Sequence, residues 1–144
     1  MQTGAGGLLR DHEGNWLTGF AQSLGICTAL KAELWSILIG LRTVLHLNIP
    51  KLIVESDSSL AVEAVNRRTV LFGNCSHLVN AIQQLLQGHW EVSYVFVGRQ
   101  GNGCADWLAK EASLNIVDLN IFHSPPMGLV HLLQSDSASS SSVS

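Results

Sequence analysis

The sequence predicts an α/β fold, a mixed β-sheet with helices on both of its faces. Three observations support this prediction: a hairpin pattern near the start, a short apolar run that ends in an acidic residue, and helical patterns that alternate with later strand patterns. The chain has 144 residues, of which 47% are apolar, so it can bury the core of one domain. No internal repeat interrupts this order.

Two strand-like segments near the start predict a β-hairpin. Leu8–Arg10 and Trp16–Phe20 flank the polar segment Asp11–Asn15. Gly14 and Asn15 can both supply the positive φ angle that a tight hairpin loop requires. We therefore expect these two segments to pair in an antiparallel arrangement.

A long amphipathic helix and a buried strand are predicted next. Apolar residues recur at spacings of three and four from Thr28 to about Leu47, and Pro50 prevents the helix from continuing. Lys51–Asp57 contains a short apolar run that is typical of a buried parallel strand. Ser58 can cap the helix that follows.

The second half of the chain predicts another helix, a strand and a last helix. The helix covers about Ser76–Leu86, and alternating residues predict the strand over Trp90–Val97. After a glycine-rich loop at Gly98–Gly103, Asn102 can cap a helix that runs to about Leu114.

These patterns divide the chain into three parts. Residues 1–114 form the predicted domain, and residues 115–134 form an extension in which no site is recognisable. Residues 135–144 are mostly serine and other small polar residues, which cannot bury apolar surface, so we expect a disordered tail.

Charge and cysteine content limit the possible functions. The net charge is -3 and the only local basic cluster is Arg67–Arg68, which argues mildly against tight binding of nucleic acid by bulk charge. Cys27, Cys75 and Cys104 are distant from one another, so a disulfide framework or a zinc site is not expected. No signal peptide or membrane-spanning pattern is visible. We expect a soluble intracellular protein, with cytoplasm and nucleus left open.

Three carboxylates occupy positions that are unusual for solvated acids. Glu33 borders the apolar stripe of the long helix, Asp57 closes the apolar strand, and Asp106 lies in the first turns of the last helix. A carboxylate near a core is costly unless it is paired or bound to a metal ion. Ligands in open α/β sheets gather at the carboxyl ends of strands. If the three converge, they could hold Mg²⁺, which prefers hard oxygen ligands.

Each of these acids also has a purely structural interpretation. Glu33 could be a surface acid at the edge of the stripe, and Asp57 could cap the following helix. Asp106 could interact with the helix dipole, an effect of about 0.3–1 kcal/mol. Convergence at one edge of the sheet distinguishes the metal-site interpretation from these alternatives.

Four segments together resemble the ribonuclease H type 1 domain, in the version found in plant non-LTR retrotransposon-type proteins. They are Gly4–Asp11, Ala32–Trp35, Val54–Ser58 and Asn102–Lys110. The resemblance covers about residues 4–112. It is specific in the order and spacing of the segments, whereas any one segment alone would be weak.

This resemblance implies a five-stranded mixed sheet and a two-ion Mg²⁺ or Mn²⁺ site. It implies a nucleic-acid partner, the RNA–DNA hybrid, whose RNA strand is hydrolysed, and no small-molecule cofactor. The family uses four acids, and its last three correspond to Glu33, Asp57 and Asp106, which are therefore the expected catalytic and metal-binding residues.

The chain departs from the family pattern at several positions. No segment before Gly4 matches the first strand of the family, which carries the first catalytic Asp. Phe96 stands where the family has a mobile His, and Arg99–Asn102 replaces the usual Arg-Glu-x-Asn. We therefore expect a truncated copy from a mobile-element family in which hydrolysis is weakened.

Two other functions stay open. The first is a catalytically inactive remnant that binds nucleic acid or a protein. The second is an unrelated α/β domain that binds a small ligand through Gly4–Gly7, although this run lacks the Lys-Ser/Thr of a P-loop.

Overall fold

The computed structural model describes residues 3–67, 69–71, 73–87, 90–98, 102–115, 118–129, 132–133 and 141–143, the last group by its backbone alone. Its strands and helices alternate in the predicted order, and two short strands follow the last helix. The elements are β1 (Thr3–Arg10), β2 (Trp16–Gly25), α1 (Ala29–Val44), β3 (Lys51–Ser56), α2 (Ser59–Val65), α3 (Asn74–Leu85), β4 (Glu91–Phe96), α4 (Gly103–Asn115), β5 (Asn120–Phe122) and β6 (Ser141–Val143).

The strands form two sheets in the described part of the chain. One has the order β5-β2-β1-β6 with antiparallel pairs, and the other is the parallel pair β3-β4. The predicted mixed α/β fold is confirmed. The single five-stranded sheet is not observed, because β1 and β3 share no ladder, and β6 contacts both of them.

The hairpin of β1 and β2 is longer than predicted, and its turn is stabilised by one carboxylate. Gly14 has a φ of 85°, whereas Asn15 does not adopt a positive φ. Instead, the backbone and side-chain amides of Asn15 donate hydrogen bonds to Asp11, at 2.8 and 3.1 Å. These bonds lower the pKa of the Asp11 carboxyl.

Side chains alternate across β1, so that each face of the strand packs on a different helix. Ala5 and Leu9 belong to the core cluster that includes α1, and Leu8 belongs to the cluster that includes α4. A Cβ atom at Gly4 or Gly6 would collide with the backbone of α4. The glycine run that could have indicated a phosphate loop therefore allows α4 to approach the sheet closely.

Helix boundaries follow from caps and from chain breakers. The Thr28 hydroxyl accepts a hydrogen bond from the Lys31 amide at 3.2 Å, which begins α1 one residue after the predicted start. A short 3-10 turn, Leu45–Leu47, ends in Asn48 with left-handed φ and ψ angles, two residues before Pro50. None of the helices in the described residues combines the length and apolarity needed to cross a bilayer.

The C-terminal part contains structure that the sequence did not predict. In the extension, β5 pairs with β2, and Leu129 is fully buried in the cluster beside α4. In the tail, Ser141–Val143 forms β6, so disorder does not hold for these three residues. The expected disorder of residues 135–140 and of Ser144 concerns positions outside the described residues.

Candidate functional site

Two of the three predicted carboxylates lie at the carboxyl end of β3. The Ser56 hydroxyl, at the last position of β3, donates a hydrogen bond to Oε2 of Glu33 at 3.3 Å. Asp57 follows Ser56 directly, and both Glu33 and Asp57 are half-buried. The hydrogen bond joins the first turns of α1 to the end of the strand, and it brings Glu33 to the segment that contains Asp57.

The backbone around Asp57 is fixed by two serines. The Ser58 amide donates to the Ser56 hydroxyl at 3.2 Å, and the Ser58 hydroxyl accepts from the Ala61 amide at 3.2 Å. The second bond is the predicted N-cap of α2. Asp57 therefore lies between two anchored residues, and this favours one orientation of its carboxylate.

Asp106 has a different environment. It lies in the first turn of α4, and its Oδ2 forms an ion pair of 3.1 Å with Nζ of Lys110, one turn later. Its side chain is 46% exposed. Among the described residues, no three His, Cys, Asp or Glu side chains lie close enough together to hold a metal ion. Glu33 therefore contacts the residue that precedes Asp57, and the three acids do not form such a cluster.

The neighbouring strand contributes no titratable side chain at its end. Phe96 is the last residue of β4, pairs in register with Ser56, and is 53% exposed. It cannot transfer a proton in the way that a histidine could. Of the predicted Arg99–Asn102 motif, residues 99–101 lie outside the described part, and Asn102 is fully buried.

A groove between α1, α3 and the end of β2, lined by both polar and apolar side chains, was not predicted from the sequence. Lys31, Trp35 and Arg42 line it from α1, and Asn74 and His77 line it from α3. Among the residues that the structure describes, no acid lines this groove. The signal was present in the sequence, because positions 31, 35 and 42 follow the spacing of one helical face, but the opposing wall came only from the fold.

Buried Arg10 was also not anticipated. It ends β1, is only 4% exposed, and donates from Nη2 to the Sγ atom of Cys104 at 3.5 Å. This contact ties β1 to the first turn of α4, next to Asp106. No local sequence pattern indicates this contact, since the two residues are 94 positions apart.

Comparison with known proteins identifies the domain. Residues 1–112 match the model of a family described as reverse transcriptase-like. An Arabidopsis thaliana protein that is named for ribonuclease H is 34% identical over 136 residues, which are 94% of this chain and 22% of that protein. The chain thus spans less than a quarter of that relative.

Two solved structures are similar in fold. Ribonuclease H1 from Halobacterium salinarum matches with a TM-score of 0.72 and 20% identity, over 80% of this chain and 88% of that one. The N-terminal ribonuclease H domain of rv2228c from Mycobacterium tuberculosis, solved as a fusion with maltose-binding protein, matches with a TM-score of 0.63 and 25% identity, over 78% and 92%. The chain therefore belongs to the reverse transcriptase-like family and contains a ribonuclease H-like domain.

Proposed function

We propose that this domain binds RNA–DNA hybrids and hydrolyses their RNA strand weakly in a reaction that depends on a divalent metal ion. The observation that carries the proposal is the association of Glu33, Ser56 and Asp57 at the carboxyl end of β3, within a ribonuclease H-like fold. Carboxylates from separate elements at one such edge are what phosphodiester hydrolysis with metal ions requires.

The donor chemistry of these residues suits Mg²⁺ or Mn²⁺, although the set is incomplete. Glu33 and Asp57 offer hard carboxylate oxygens, and Mg²⁺ commonly uses one or two protein carboxylates together with waters and substrate phosphate. Asp106 is the third proposed ligand, and its ion pair with Lys110 competes with a cation for the same oxygen. A bound divalent ion would supply Lewis-acid polarisation of the scissile phosphate.

The side chains of the domain position this site. The Ser56 hydroxyl donates to Oε2 of Glu33 and so orients this carboxylate at the end of β3, and the cap made by Ser58 holds the turn that carries Asp57. Phe96 supplies no proton acceptor beside them. These features support slow metal-dependent hydrolysis, because the site orients its carboxylates but Phe96 provides no group for acid–base catalysis.

The groove between α1 and α3 is the surface that we assign to the nucleic-acid backbone. Lys31 and Arg42 are 11 residues apart on α1, so their Cα atoms are separated by about 16 Å, the rise of about five nucleotides along one strand. Because the described residues place no acid in its lining, the groove is locally basic on a protein whose net charge is -3. Trp35 lies between them in the lining of the groove.

A second candidate function is nucleic-acid binding without hydrolysis. The ion pair between Asp106 and Lys110, and the absence of a three-acid cluster in the described residues, favour it. The two candidates share the groove and differ in cleavage. Incubation of a labelled hybrid with Mg²⁺ or Mn²⁺ therefore distinguishes them.

Binding is tested by gel shift on a hybrid, on duplex DNA and on single strands at several salt concentrations. We expect binding to the hybrid that weakens as salt rises, and Arg42→Ala should weaken it and reduce the slope of log K against log salt by about 1. Lys51→Ala is the matched control, because Lys51 is an exposed cation outside the groove. An equal loss in both variants, or no salt-sensitive binding, would rule out the groove.

A further inference from the structure

The groove between α1 and α3 has an apolar floor in addition to its cations. This floor is formed by buried and half-buried side chains, namely Leu24, Trp35, Leu38, Leu78 and Ala81. The groove contains about 1190 Å³ of open space, above the range of about 300–1,000 Å³ that is typical of a pocket for one small ligand. Phosphate contacts use only the cations, so they leave the apolar floor without a role.

The groove and the carboxylates lie on opposite sides of α1. The groove residues of this helix are spaced by four, three and four positions and share one face: Lys31, Trp35, Leu38 and Arg42. Glu33 comes two positions after the first of them, which directs it to the other side, where it meets Ser56. A helix with its side chains is about 10–12 Å in diameter. A nucleic acid that reaches both places therefore presents different parts of its length to them.

The apolar floor favours unpaired nucleotides over a duplex. In a duplex the bases are stacked on one another, so phosphates, sugars and base edges form its surface. An unpaired strand exposes the faces of its bases, and a groove that combines cations with an apolar surface can cover them. The separation of Lys31 and Arg42 along α1, about 16 Å, matches the backbone of a few nucleotides.

The charge of the lining suits the same ligand. The described residues place no acid in the groove, and no Asp or Glu occurs in the sequence between Glu63 and Glu91, the part that contains α3. Gln22 and Asn74 line the groove and carry carboxamides, which can both donate and accept hydrogen bonds. Base edges offer the matching acceptors and donors when they are not paired.

We propose that this groove binds an unpaired segment of a nucleic-acid strand, with its phosphates at Lys31 and Arg42 and its bases on the apolar floor. The preferred substrate is then a hybrid that continues into a single strand, and its paired part lies on the side of α1 that carries Glu33. This assignment rests on the proposed binding of nucleic acid and is independent of cleavage.

The test measures the affinity of the full chain for labelled ligands by fluorescence anisotropy, without divalent ions so that no RNA is cleaved. The ligands are a blunt hybrid and the same hybrid with about six unpaired nucleotides at either end. We expect the extension to tighten binding about tenfold at one end or at both, through contacts to the unpaired bases. Equal affinities for the blunt and extended hybrids would overturn this assignment and leave the binding of hybrids intact. No binding to any of the ligands would overturn both.

A matched pair of variants on α3 tests where the extension binds. Asn74→Asp adds an acid to the lining of the groove, whereas Asn80→Asp makes the same change at an exposed position of α3 outside it. Asn74→Asp should remove most of the gain from the extension, because the new carboxylate repels phosphate, and Asn80→Asp should keep it. Equal gains in the two variants would contradict binding of the extension in this groove.

Ile26 tests the apolar part of the contact, since its side chain lines the groove and is 79% exposed. Ile26→Ser should reduce the gain from the extension about threefold without changing the salt dependence, because apolar surface is lost but no charge. An unchanged gain would show that the bases do not lie on apolar surface. A polyglutamate peptide that binds more tightly than the extended hybrid, and that Asn74→Asp weakens, would instead assign the groove to an acidic protein segment and overturn the proposal.

Discussion

Tyr94 places a phenol inside the core between β4 and the helices. Its hydroxyl is buried without a hydrogen-bond partner in the described residues. Burial raises the pKa of this phenol well above its ordinary value of 10.0. A group whose pKa is raised on folding contributes stability below its ordinary pKa, and this contribution is lost as the pH rises towards the folded value.

We expect Tyr94→Phe to be neutral or to stabilise the protein by about 1 kcal/mol, because an unpaired buried hydroxyl is removed while the ring is kept. Above pH 10 the wild type should lose stability that the variant keeps. Urea unfolding of both proteins at pH 8 and at pH 10.5 measures this difference. Destabilisation by more than 1 kcal/mol at pH 8 would mean that the hydroxyl has a partner.

The ion pair with Lys110 opposes the binding of a metal cation to the Asp106 carboxylate. We expect Lys110→Met to lower the Mn²⁺ concentration needed for hybrid cleavage several-fold, since a unit charge at about 4 Å is worth about 1 kcal/mol in water. Stability should fall by only about 0.5 kcal/mol, as is usual for an exposed pair one helical turn apart. Metal titrations of cleavage by this variant and by a Lys51→Met control measure the effect. An unchanged metal requirement would exclude Asp106 as a ligand.

At the scale of elements, the packing of α4 on β1 depends on the absence of side chains at two positions of the strand. Gly4 and Gly6 both face α4, and a Cβ atom at Gly6 would lie 2.7 Å from the Cβ atom of Leu108. The backbone atoms of β1 and α4 cannot move aside as the ends of flexible side chains can. This contact also fixes the helix that carries Asp106.

Gly6→Ala should therefore destabilise the domain by about 1–3 kcal/mol through overpacking. Gly98→Ala is the matched control, because no atom of the described residues lies within 4 Å of a Cβ atom at Gly98. Thermal or urea unfolding of the two variants compares them directly. Equal stability of the two would show that α4 does not approach β1 so closely.

The helices and strands also show how much of the fold could be predicted from the sequence. Periodic apolar patterns were enough to predict the elements from β1 to α4, since local spacing indicates the buried face of a helix or strand. The strands β5 and β6 have three residues each and are defined only by their partners, so no local pattern indicates them. The positive φ expected at Asn15 was wrong because Asp11 binds this residue instead.

For the site, the sequence predicted the acids but not their arrangement. The contact between Glu33 and Ser56 follows from the packing of α1 against β3, and the apolar stripe with the strand pattern made it foreseeable. The ion pair of Asp106 follows from the four-residue spacing to Lys110, which is equally visible in the sequence and which opposes metal binding by Asp106. The three acids do not form a metal-binding cluster in the described structure, and their catalytic and metal-binding roles stay predictions.

At the scale of the whole molecule, charge distribution matters more than net charge. The chain carries a net charge of -3, yet the groove between α1 and α3 is lined by Lys31, Arg42 and His77 without an acid. The carboxylate pair and the groove both depend on α1, so this helix links the two parts of the proposed function.

The most direct measurement is the cleavage of a hybrid with labelled RNA, in Mn²⁺, by the wild type and by Asp57→Asn. We predict slow cleavage by the wild type, at least about tenfold less by Asp57→Asn, and unchanged cleavage by Glu63→Gln, in which an exposed acid on α2 is neutralised. Equal rates for the wild type and Asp57→Asn would contradict the assignment of Glu33 and Asp57 as the working site.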